Sequence, residues 1–207
     1  MAAPRFEPNR GQASATVRFL SRSDGRELHF EPHRVVLRTR GPAEPAFSSP
    51  ATFGFALPHR YPSPPDTIHE VAMRWLDGLL PTAIEPSGDL DSRVHYFRSP
   101  EPSTWITSVP EYSSVRYRQV YPKIDLVAYN SDSNLEYDFE VQPGGDPNRI
   151  VLEFSGASQV RLDKSGDLIL ETAAGPIRHR RPVARQPGGR TVPAGWRLGL
   201  TPKLETL

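Results

Sequence analysis

The residue types best suited to chemistry in this chain are carboxylates. Asp125, Glu136, Asp138 and Glu140 lie in the stretch 115–154, and the last three fall on one side of a strict alternation. Asp132 and Asn134, in the turn between them, add further oxygens. Hard oxygen ligands suit calcium, so Asp125, Asp132, Glu136 and Asp138 form a candidate metal site. Paired carboxylates also suit glycoside hydrolysis. A plainer assignment competes with both: a solvated strand face whose charges pair with Arg116, Arg118 or Lys123 on neighbouring strands. The turn NSDSN (130–134) lacks the glycine and terminal glutamate of an EF-hand loop.

Aromatic rings offer a second chemistry. Trp75, Trp105 and Tyr129 are candidates for stacking on a sugar, although such rings equally suit a β-sandwich core. Trp105 in particular reads as a buried anchor within a loop at 99–110. His29 and His33 are four residues apart, but Pro32 between them breaks any shared helix face, so zinc is not expected there. His95 reads as a strand residue. Arg178, Arg180, Arg181 and Arg185 read as a charged edge strand guarded against aggregation, with acidic polysaccharide or nucleic acid as the alternative contact. The chain contains no GxSxG elbow, no GxGxxG and no P-loop. No catalytic residue is therefore assigned.

The elements that must position these groups are strands. Leu135, Tyr137, Phe139 and Val141 alternate with Glu136, Asp138 and Glu140, the period of a half-buried strand. Residues 124–129 form a strand before it. After the QPGGDPN turn (142–148), Ile150, Leu152 and Phe154 begin a third strand, completing a meander. Nearer the N-terminus, 15–20, 27–30 and 34–39 read as strands, with an Asp-Gly hairpin turn in SRSDGR (21–26). Residues 67–76 fit a strand and a helical face alike, and strand is preferred. Residues 77–93 read as loop and 94–97 as a short strand. Residues 159–162 and 168–172 form a hairpin, and 177–186 one basic strand. Seven prolines make 41–66 a loop insertion with one added strand at 52–57. The fold class is all-β, a mainly antiparallel jelly-roll-like sandwich. Residues 1–186 read as a single domain, followed by a weakly structured tail at 187–207.

Composition agrees. The 23 prolines among 207 residues are about twice average usage and disfavour a helical bundle. A net charge of +1 argues against a dedicated nucleic-acid binder, and the absence of cysteine removes disulfides and thiolate metal sites. No apolar run reaches the ~20 residues of a membrane span. MAAPRFEPNRGQ holds no apolar signal core, so the sequence as written is compatible with the cytoplasm.

Several segments, taken in order, carry a resemblance: FEPNRGQ, VHYFRSPEPSTWITSVPEYSSVRYRQVYPKIDLVAYN, LEYDFEVQPGGDPNRIVLEFSGA, DLILET and IRHRRPVARQ. The chain resembles the uncharacterised domain found N-terminal to seven-bladed β-propeller (SBBP) repeats in large bacterial secreted or surface proteins. The resemblance covers most of residues 6–186. It implies a β-rich structural or interaction module, an extracellular or cell-surface location, and a propeller or other repeat domain as partner. It carries no catalytic residues. A carbohydrate-binding module, with a calcium ion on the acidic turn, is the alternative reading, and a glycan-active enzyme the weaker one.

Overall fold

Apolar and polar residues alternate along most of the chain, and the alternation becomes antiparallel pairing throughout. The computed structural model describes residues 5–23, 25–41, 67–131 and 134–199. Asp132 and the proline-rich stretch from 42, including the strand expected at 52–57, lie outside the described residues.

Ten strands form the main sheet: β1 (Phe6–Pro8), β2 (Phe19–Ser23), β3 (Arg26–Glu31), β4 (Arg34–Gly41), β5 (Thr67–Trp75), β6 (Ile84–Tyr96), β7 (Ile106–Tyr121), β8 (Ile124–Ser131), β9 (Asn134–Val141) and β10 (Leu152–Ser155). Their order is β10-β5-β4-β3-β2-β1-β7-β8-β9, with β6 paired to β7. A three-stranded sheet follows, made of β11 (Gln159–Leu162), β12 (Leu168–Glu171) and β13 (Ile177–His179). The ribbon β14 (Ala184–Arg185) and β15 (Thr191–Val192) lies within and beyond the expected basic strand.

The main sheet is curled into a half-barrel, so side chains from distant strands meet on one face. Phe6, Phe30, Trp75, Tyr117, Tyr121 and Ile124 fill that core. Phe6 meets Phe30 edge-on at 5.3 Å, and Trp75 meets Tyr117 at 5.2 Å. Buried tyrosines need partners for their hydroxyls. Tyr117 donates to the Glu31 carbonyl at 3.0 Å. Tyr121 donates to the Val151 carbonyl at 2.8 Å and accepts from the Val151 amide at 3.1 Å.

Four elements differ from expectation. The strand at 124–129 and the alternating strand at 135–141 pair as expected, but β10 does not continue the meander. The Asp146 side chain accepts from the Asn148 amide and caps a short 3₁₀ turn, after which the chain crosses to β5, pairing Leu152 with Trp75. Residues expected as loop at 77–93 mostly belong to β6, which contains Pro86 and Gly88. This strand pairs only with β7, so proline's missing N–H interrupts no ladder. Gly88, at φ +69°, has no room for a Cβ, which would lie 2.0 Å from the Ser113 hydroxyl. The first expected strand shifts forward, because 15–18 form a turn and β2 begins at Phe19. Finally, Pro182 falls between β13 and β14, splitting the basic strand. Residues 67–75 are a strand, as preferred.

The small sheet packs on the β5–β10 side of the main one, through Val71, Leu168, Leu170 and Phe154. His179 on β13 is a second point of attachment. Its Nδ1 shares a 3.1 Å hydrogen bond with the Tyr137 hydroxyl, and its ring lies 5.0 Å from that of Phe154. Burial pushes the His179 pKa down to about 4. Trp196, in the expected tail, also packs against this cluster and donates to the Arg180 carbonyl at 3.0 Å.

Candidate functional site

The carboxylates of β8 and β9 sit on the sheet face opposite the core. Register places Asp125 beside Glu140, Val127 beside Asp138 and Tyr129 beside Glu136. Directly opposed residues share a face, so like charges meet and require cations between them. Arginines from β7 supply these. Asp125 accepts from Arg116 at 3.2 Å, from Arg118 at 3.1 Å and from the Gln119 amide at 2.8 Å. Arg116 continues to Glu140, and Arg118 to Glu85 at 2.9 Å, giving a charge ladder across four strands. Burial pushes the Asp125 carboxyl up, but the Gln119 amide and the two guanidiniums outweigh it and hold the carboxyl below its usual range.

Among the described residues, the candidate calcium ligands Asp125, Glu136 and Asp138 are thus not gathered around a common point. Asp125 points into arginines. Glu136 and Asp138 share the Tyr129 hydroxyl, at 3.4 and 3.0 Å. Among the described residues no group of three metal-ligating side chains is assembled. Tyr129 is consequently a partner of acids: burial, then the Asp138 hydrogen bond, push its hydroxyl up to about 12. The basic run is similarly engaged in part, since Arg178 pairs with Asp163 at 3.2 Å and Asp167 at 2.9 Å.

The two tryptophans offered for sugar stacking separate. Trp75 is only 4% exposed and packs in the core, because β10 and β4 flank its strand and the core face of β5 is covered. It offers no ring to a ligand. Trp105, expected as a buried anchor, is 40% exposed. It stands edge-on to Phe97 at 4.9 Å and 81°, and Phe97 is 60% exposed. The His95 ring stacks against that of Phe97, centroids 6.0 Å apart and planes within 7° of parallel. These three rings make a surface platform with an upright wall.

Local sequence explains the platform. His95 and Phe97 are two residues apart at the end of β6, so both project to one side while Tyr96 projects to the other. The turn 99–104 folds back, and the Trp105 indole N–H donates to the Ser99 carbonyl at 2.8 Å. The Ser108 amide donates to His95 Nδ1 at 3.3 Å, from a residue held at φ 56°.

Tyr96 fastens the platform to the sheet from behind. Its hydroxyl donates to Glu7 and accepts from Arg22, and Arg22 also binds Glu7. The Arg22 and Arg98 guanidiniums both lie over the Tyr96 ring, 5.3 and 5.0 Å from its centroid. Arg98 donates to the Gln12 carbonyl at 2.8 Å. Glu7 is buried, one of its oxygens has no partner among the described residues, and burial raises its carboxyl above the usual range. Arg22 also binds Glu27, which binds His29 in turn. His33 takes no part in this network.

The family described as a domain of unknown function (DUF7948) matches residues 6–201. The chain belongs to that family. Neither a curated protein nor a solved structure matches. The DUF7948 domain therefore has to be read from its own side chains. Phe97 and the Glu7–Arg22–Tyr96 network were missed in the sequence reading of this DUF7948 domain. The one available signal was the alternation His95-Tyr96-Phe97, which places two rings on one side and one on the other.

Proposed function

We propose that the domain is a non-enzymatic binding module that holds a saccharide chain on the His95–Phe97–Trp105 platform. The observation that carries this is the exposure of two large rings, 60% for Phe97 and 40% for Trp105, held at a set angle by hydrogen bonds. Leaving such apolar area in water is unfavourable, and a flat ring next to a polar edge suits the apolar face of a sugar. The Tyr96 network supports the reading, because a fixed platform loses little freedom on binding. Carboxylates committed to arginines and to Tyr129 favour binding over hydrolysis.

The resemblance to domains preceding SBBP repeats supports an extracellular or cell-surface setting in a bacterial repeat protein. There the domain would present its platform to wall or capsule glycans. A neighbouring repeat domain is the competing occupant.

The test is retention on a panel of insoluble and soluble polysaccharides, comparing wild type with Phe97→Ala and Trp105→Ala. Retention by at least one glycan is expected, with affinity lowered roughly tenfold by either change, the equivalent of one stacking contact. Unchanged thermal midpoints would establish that the variants are folded. No retention by any glycan, or variants retained like wild type, would sink the proposal and leave the platform to a protein neighbour.

A further inference from the structure

A second site lies at the hairpin end of the β2–β3–β4 strands. A cleft of about 450 Å³ is lined by Arg22, Arg26, Arg38 and Arg40. Glu27 is the one carboxylate lining it among the described residues. The whole chain carries a net charge of only +1, so this concentration of cations does not follow from a basic composition.

Register explains how they meet. Arg22 pairs with Glu27, and Glu27 with Arg38, so the three form one row across β2, β3 and β4. Arg40 is two residues further along β4 and shares the face of Arg38. Arg26 begins β3 opposite Thr39, alternates to the other face from Glu27, and lines the cleft where the strand starts at the hairpin turn. Two of the arginines are held in place: Arg22 by Glu7, Glu27 and the Tyr96 ring, and Arg38 by Glu70 at 2.8 Å. Arg26 and Arg40 are exposed and take no ion pair or hydrogen bond among the described residues. Glu7, Glu27 and Glu70 offset Arg22 and Arg38, and the surplus carried by Arg26 and Arg40 creates a positive potential that a ligand anion would relieve. Guanidinium is also the group best shaped for two-point contact with an oxyanion.

We infer that this cleft binds a ligand carrying at least two closely spaced oxyanion groups, a phosphate or sulfate ester, through Arg26 and Arg40 on a base set by Arg22 and Arg38. This site shares Arg22 with the network behind the aromatic platform, but Arg26 and Arg40 take no part in that network, so a loss on changing these two is distinguishable from failure of the platform.

The experiment is calorimetric titration of the full chain at constant ionic strength with inorganic tripolyphosphate and, separately, with a sulfated disaccharide. The proteins compared are wild type, the double variant Arg26→Ala/Arg40→Ala, and Arg185→Ala as a control for general charge loss. Binding of one or both probes is expected, with loss of roughly tenfold or more in the double variant and no change in the control. The probe that binds identifies the ester. Binding of neither probe overturns the inference, as does an equal loss in the double variant and in Arg185→Ala. The two substituted arginines are exposed, so the variant's thermal midpoint should match wild type.

Discussion

Acidification should loosen the small sheet from the main one, through His179. The imidazole joins β13 to Tyr137 of β9 and Phe154 of β10, and burial depresses its pKa from the ordinary 6.5 to about 4. The folded-state value is the lower one, so the neutral ring is favoured by folding. Above pH 6.5 neither state takes the proton, and stability is unaffected. As pH falls below 6.5 the unfolded chain binds a proton that the folded chain refuses, and stability is lost until about pH 4. The gap corresponds to roughly 3 kcal/mol, of which about 2 kcal/mol has accrued by pH 5. Urea unfolding should be measured from pH 7.5 to 4.5 for wild type and His179→Phe. The variant keeps an apolar ring and cannot titrate, and carboxylate contributions cancel in the difference. The stability of wild type relative to the variant should fall by about 2 kcal/mol between neutral pH and pH 5. Parallel curves for the two proteins, or an NMR titration of His179 with a midpoint near 6.5, would refute the reasoning.

Glycine positions give a sharp contrast. A Cβ at Gly156 would lie 2.0 Å from the Glu70 carbonyl at φ +84°, whereas Gly175, at φ +104°, has open space around it. Gly175→Ala should therefore lower stability by only about 1–2 kcal/mol of backbone strain, and Gly156→Ala by several kcal/mol more, read by urea denaturation. Asp125→Asn removes the carboxylate that two guanidiniums and the Gln119 amide share, and should destabilise by about 2–3 kcal/mol in the same assay. Because Asp125 is so engaged, millimolar calcium should leave the wild-type thermal midpoint where chelator leaves it; a rise of several degrees would show that the acidic strands do gather an ion.

Much of the β architecture was legible in the residues. The alternation from Leu135 to Val141 produced β9, with Leu135, Tyr137 and Phe139 turned to the core. The DKSGD turn produced the β11–β12 hairpin, with the Asp163 side chain accepting from the Ser165 and Asp167 amides. The site was far less legible. Trp75 and Trp105 looked equivalent, yet one is core and the other surface. Pro86 and Gly88 looked like loop residues, yet they lie in the strand that delivers His95 and Phe97.

The amino-acid sequence by itself determined most of the strands, the turn at 163–167, and which side chains share a strand face. Those properties depend on backbone sterics and a period of two, both local. Only the tertiary structure decided that β10 leaves the meander to cover Trp75, that Arg116 and Arg118 claim Asp125, and that four arginines surround one cleft. Those outcomes depend on strand order and register between residues far apart in the chain. Burial and charge pairing are set there, by which faces the curled sheet brings together.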